Sequence, residues 1–130
     1  MTIISRADSA ATFPAGIRVI KTAYTTAQLT EALCGQDAVV CAVSPAGIPA
    51  QAEMLEAAAA AGVRRFVLDD FGYPPAFPRL PELVPTGESR RVVVERAREV
   101  AGRYAEFSWS AVAIGAPIDW VRVVLFCAAR

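Results

Sequence analysis

Ala38-Val39-Val40-Cys41-Ala42-Val43 is an unbroken apolar run closed by Ser44 and Pro45. A strand wetted on one face alternates apolar and polar residues. A strand covered on both faces by helices does not alternate, and parallel sheets are built from such strands. Helical signals flank this run. Upstream, Thr25-Thr26-Ala27-Gln28 reads as a capping box, in which a Thr hydroxyl and a Gln amide satisfy free backbone N–H groups. The helix it opens runs to about Cys34, where Gly35 tolerates a left-handed stop. Downstream, Pro49 suits a first helical turn, Ala50 to Ala61 is rich in helix formers, and Gly62 ends it.

The same alternation extends to both ends of the chain. Thr2 to Ser5, Ile17 to Ile20, Arg65 to Leu68 and Phe107 to Ile114 read as further strands. Asp69 to Pro85 is a proline-rich loop, too punctuated for regular structure. Gly87 to Arg103 is a helix whose apolar face carries Val93, Ala97, Val100 and Tyr104 at spacings of four, three and four. Strands alternating with helices predict right-handed crossovers. The fold class is α/β, a Rossmann-like parallel sheet with helices on both faces.

Composition narrows the function. A chain of 130 residues buries one core, not two. Basic and acidic residues balance at 13 each, so no nucleic acid and no anionic membrane surface is expected as a partner. Met1 to Arg6 lacks the basic and apolar regions of a secretory signal. Ala111 to Ala129 is interrupted by Pro117, Asp119 and Arg122, which argues against a membrane span. Three widely spaced cysteines, Cys34, Cys41 and Cys127, fit reduced thiols and a cytoplasmic location. The chain has no histidine, which excludes histidine metal sites, Ser–His–Asp triads and Cys–His pairs.

Phe13-Pro14-Ala15-Gly16, Leu33-Cys34-Gly35-Gln36-Asp37-Ala38-Val39-Val40, Ala59-Ala60-Ala61-Gly62-Val63-Arg64-Arg65-Phe66 and Asp69-Asp70-Phe71-Gly72 occur in an order and spacing that resembles the NmrA-like and isoflavone-reductase-like proteins. These are atypical short-chain reductases with an NADP-binding Rossmann domain. The resemblance covers residues 1–120, read as a partial NAD(P)-binding domain, and leaves 121–130 as a divergent tail. It places Met1 to Arg6 on the family's second strand. No Gly-x-x-Gly-x-x-Gly turn, the element that brings backbone N–H groups against a pyrophosphate, occurs in the sequence. The expectation is a domain lacking its first strand and its phosphate loop. In a 3-2-1-4-5-6 sheet that strand is central, so its loss bares two inner edges and invites self-association through them.

The resemblance implies NADPH as cofactor and hydride transfer to a small-molecule substrate, with a non-catalytic dinucleotide sensor, a protein-interaction regulator or a functionless fragment as alternatives. Arg6 falls where the family carries an arginine for the adenosine 2′-phosphate; as a residue it reads equally as a solvated arginine at a strand end. Ala42, Val43 and Ser44 end the middle strand, at the edge where α/β sheets bind ligands, and read equally as core and turn. Asp70, Phe71 and Gly72 follow the next strand, and by resemblance Phe71 flanks the nicotinamide. The family's reductases carry a catalytic lysine in the helix after the long loop. Here Arg90 stands near that place, and Lys21, the chain's lysine, lies on another strand. Arginine stays protonated, so Arg90 reads as a solvated helix residue and no catalytic residue is carried over. Cys41 reads as core, Glu53 and Glu56 as helix-surface charges.

Overall fold

The computed structural model describes residues 1–69, 79, 82 and 84–113. Strand β1 (Thr2–Arg6) pairs in parallel with β2 (Arg18–Thr22), from Thr2 opposite Arg18 to Arg6 opposite Thr22. The connection between them is fastened by Lys21, whose ammonium donates to the Ser9 carbonyl (2.8 Å) and the Ser5 hydroxyl (3.3 Å).

Helix α1 (Thr26–Leu33) starts as its sequence predicts: the Thr25 hydroxyl accepts from the Gln28 N–H at 3.4 Å. The Gln28 amide oxygen accepts from Ala23 at 2.7 Å, not from the cap residue itself. Gly35 then turns the chain at φ +75°, which a residue with a Cβ resists. Strand β3 (Ala38–Val40) leads into a 3-10 helix, Pro45–Ala50, that runs directly into α2 (Gln51–Ala60). The helical path therefore begins earlier than Pro49. Its first turns are tight because Pro49 has no N–H for an α-type bond. After Gly62 come β4 (Arg65–Val67), α3 (Gly87–Arg103) and β5 (Ser108–Ser110).

Strands β3, β4 and β5 form one parallel sheet in that order, with Phe66 facing Val39 on one side and Trp109 on the other. Phe66 is fully buried, as are Ile48, Leu55, Leu68, Ala57, Ala58, Ala97 and Val100. The alanines of α2 leave room for close neighbours, so this helix packs between α1 and α3. Glu53 accepts from the Thr26 hydroxyl at 2.8 Å. Glu56, expected on a solvated surface, is largely covered and pairs with Arg96 (2.5 Å) and Arg103 of α3. Burial against α3 turned a nominal surface charge into an interhelical one.

The two bare inner edges expected of the sheet are there: among the described residues β1 and β2 pair only with each other, and no ladder joins β1 to β3. One expectation needs correction: the run Ala38 to Val43 is not covered on both faces. Its ladder stops at Val40, and Val40 is 68% exposed. The physical reason is that β3 has β4 on one edge and an open slot on the other.

No helix of the described residues is long and apolar enough to cross a membrane. Leu55→Ala removes a fully buried side chain with little room to collapse. It should destabilise the fold by about 3 kcal/mol, whereas Thr25→Ala should cost about 1 kcal/mol. Urea titrations of both variants check the ranking.

Candidate site at the carboxyl edge

Parallel strands leave their last residues along one edge, and the loops beyond them converge there. Beyond β3, the turn Ala42-Val43-Ser44 is pinned by Asp69, which follows β4: the Val43 N–H donates to the Asp69 carboxylate at 3.1 Å. Asp69 is held in turn. Its own N–H donates to the Gln51 amide oxygen at 2.8 Å, and its carbonyl accepts from the Arg90 guanidinium at 2.9 Å. Gln51 is only 1% exposed, so this bond satisfies polar groups that water does not reach. Arg90 also bonds the Thr86 hydroxyl at 3.3 Å.

Arg90 is therefore not a solvated helix residue. It lies partly buried against the strand end and ties α3 to the Asp69 turn. Helical phase alone does not reveal this, because it depends on where α3 crosses the sheet. Ala42 and Ser44 are exposed and Val43 is half-buried, so the turn offers its surface to solvent over a fixed base. Gly47 sits close beneath it: a Cβ there would approach the Val43 Cβ to 3.0 Å.

Across the slot, Arg6 ends β1 with an exposed guanidinium, its Nε 3.5 Å from the Asp8 carboxylate. Such a loosely paired fork fits a phosphate oxygen. Between the two strand ends stands Tyr24, at φ +57°, a backbone conformation rare for an aromatic residue. Burial chiefly raises the Tyr24 hydroxyl pKa, proximity to Cys41 adds to it, and Arg6 opposes it. Tyr24 lines the slot together with Ile4 of β1 and Val39 and Val40 of β3. Tyr24 was not singled out in the sequence, where nothing marks its positive φ. Asp70, Phe71 and Gly72 lie outside the described residues.

Cys41 is core, as its apolar run implies. Its thiol is pushed up to about 12, first by burial and then by the Asp69 carboxylate. The sulfur lies 3.7 Å from that of Met54. Cys34 is exposed and bonds the Thr30 carbonyl at 3.3 Å.

The profile of the NAD(P)H-binding protein family matches residues 1–116. Oxidoreductase poxI of Penicillium oxalicum is 49% identical over 120 residues, covering 92% of this chain and 38% of that protein. Oxidoreductase aprR of Aspergillus flavus is 32% identical over 120 residues, covering 88% and 39%. The chain thus spans about two fifths of the length of these curated relatives. A crystal structure of a proposed epimerase from Bacteroides thetaiotaomicron superposes with a TM-score of 0.56 at 19% identity, over 85% of this chain and 56% of the other. That likeness bears out the Rossmann-like α/β fold.

Gln51→Leu keeps the volume but leaves the Asp69 N–H without its acceptor. Chemical denaturation should register a loss of about 1–3 kcal/mol. For Cys41, a native pKa above the unfolded value means that the native state holds its proton longer. Stability is therefore unaffected by this group below about pH 8.5 and falls as pH rises from there toward about 12. Peptide mapping after alkylation at pH 8 should find Cys34 modified and Cys41 protected.

Proposed function

The chain belongs to the NAD(P)H-binding protein family, and on that premise we propose that its carboxyl edge binds NADPH, with Arg6 on the adenosine 2′-phosphate. The observation that carries this reading is the exposed Arg6 guanidinium at the end of β1. Tyr24, Ala42 and Val43 line the slot beside β1, and Asp69 holds the Ala42-Val43-Ser44 turn. A guanidinium paired only at 3.5 Å and exposed to water can exchange its carboxylate for a phosphate at little cost. Ser44 and the rigid turn offer a polar wall for the ribose. A bound NADPH supplies hydride chemistry, and the oxidoreductase names of the fungal relatives support that use, within the NmrA-like and isoflavone-reductase-like branch.

A second reading, a dinucleotide sensor without turnover, is favoured by Arg90. Its guanidinium is engaged with the Asp69 carbonyl and the Thr86 hydroxyl, and arginine does not release a proton near neutral pH. In that case Arg90 acts as a strut for the turn and not as a proton donor.

Titration with NADPH and NADH, followed by nucleotide fluorescence, tests the proposal. NADPH should saturate, and Arg6→Ala should weaken it about tenfold or more while changing NADH little, the cost of one charge-assisted bond. Equal weakening of both nucleotides, or no saturation by a folded sample, overturns the assignment. Oxidation of NADPH in the presence of small carbonyl compounds separates the reductase from the sensor.

A further inference from the structure

The slot between the two sheets encloses about 540 Å³ and is walled by Ile3 and Ile4 of β1, Val39 and Val40 of β3, Leu33 of α1, and Phe66. Its borders are backbone as well as side chain. Along a strand, successive residues turn their N–H and C=O groups to opposite edges. The Cys41 N–H donates to the Val67 carbonyl at 2.9 Å, so Val39 and Cys41 face β4 while Ala38 and Val40 face the slot. The Ala7 N–H donates to the Thr22 carbonyl at 2.8 Å, so Ile3 and Ser5 face β2 while Thr2, Ile4 and Arg6 turn their backbone groups the other way. Among the described residues, no ladder takes up either outward row.

Strands β2 and β5 also end their sheets among the described residues, but each offers a single row. The slot offers two, with apolar side chains between them. One inserted strand satisfies both. A residue in a sheet occupies about 3.3 Å along the strand, 4.8 Å between strands and 10 Å between layers, or about 160 Å³, so the slot takes roughly three to four residues. None of the side chains that line it is charged, so a charged residue inside would be buried without a partner. A compact apolar molecule of the same volume would leave the two backbone rows unpaired.

We propose that the slot is a docking site for an uncharged, β-branched peptide segment of a partner protein, bound as an added strand between β1 and β3. The backbone rows supply affinity for any extended chain, and the uncharged walls select its side chains. This reading also accounts for Val40, whose apolar side chain is 68% exposed at the border of the slot.

The test is a fluorescence-anisotropy titration of the intact chain against a Thr-Val-Ile-Val-Thr peptide amide, labelled through a glycine spacer. Binding should saturate. Methylating the backbone nitrogen of the central Ile, or replacing that Ile by Asp, should each weaken it about tenfold or more. At saturation, the amides of Ile4, Ala38 and Val40 should exchange about fivefold more slowly or better, and those of Ser5, Val39 and Cys41, already in ladders, should change less than about twofold. Val40→Pro removes an outward donor and no β3–β4 bond, so it should abolish binding with the circular dichroism unchanged. If that variant misfolds, the N-methylated peptide on the unaltered chain still decides. Equal binding of the N-methylated peptide makes the slot a pocket for apolar small molecules and overturns the proposal. No saturation, or outward amides already slow in the free monomer, overturns it too. Protection that appears only with a dimer in light scattering assigns the slot to a second copy and likewise overturns it. No readout involves nucleotide, so the outcome is independent of the NADPH assignment.

Discussion

The structure depends on β4. Phe66 at its centre is fully buried, with a strand paired on each side and α2 and α3 supplying Leu55, Ala97 and Val100 to the same core. A parallel strand cannot be stabilised by a tight hairpin; its neighbours must arrive through crossovers, and the helices of those crossovers must cover its face. Burying Phe66 therefore fixes the layout of β3, β5, α2 and α3 together. It also fixes where β4 ends, and so where Leu68 and Asp69 emerge.

The polar groups at that end follow from the apolar ones. Once Leu68 is buried, Asp69 stands at the boundary of the core with a backbone N–H and a carbonyl that both need partners. Gln51 from the start of α2 and Arg90 from α3 supply them. The carboxylate is left to hold the Val43 turn. Two crossovers meet at one residue, which holds the turn without any glycine-rich loop. The same burial that orients Asp69 keeps the Cys41 thiol neutral, so a cysteine at the site's edge is chemically quiet.

The β1–β2 pair is attached differently. It has its own ladder and its own fastening through Lys21, and meets the rest of the molecule by side-chain packing near Ile4 and Tyr24. A slot remains because two ladders end on facing edges.

The sequence by itself determined the element order, the parallel class, the Thr25 cap, the stop at Gly35 and the core character of Cys41, because each is a local consequence of period, propensity or apolar context. Arg6 could be read at a solvated strand end, and its exposure matches that reading. Only the tertiary structure decided that Arg90 and Glu56 face inward, that Gln51 serves Asp69, that Tyr24 takes a positive φ and that the apolar run at Val40 lies open on one edge. These depend on which surfaces meet across the crossovers. Residues distant in the sequence fix that choice, and no local pattern around any one of them carries it.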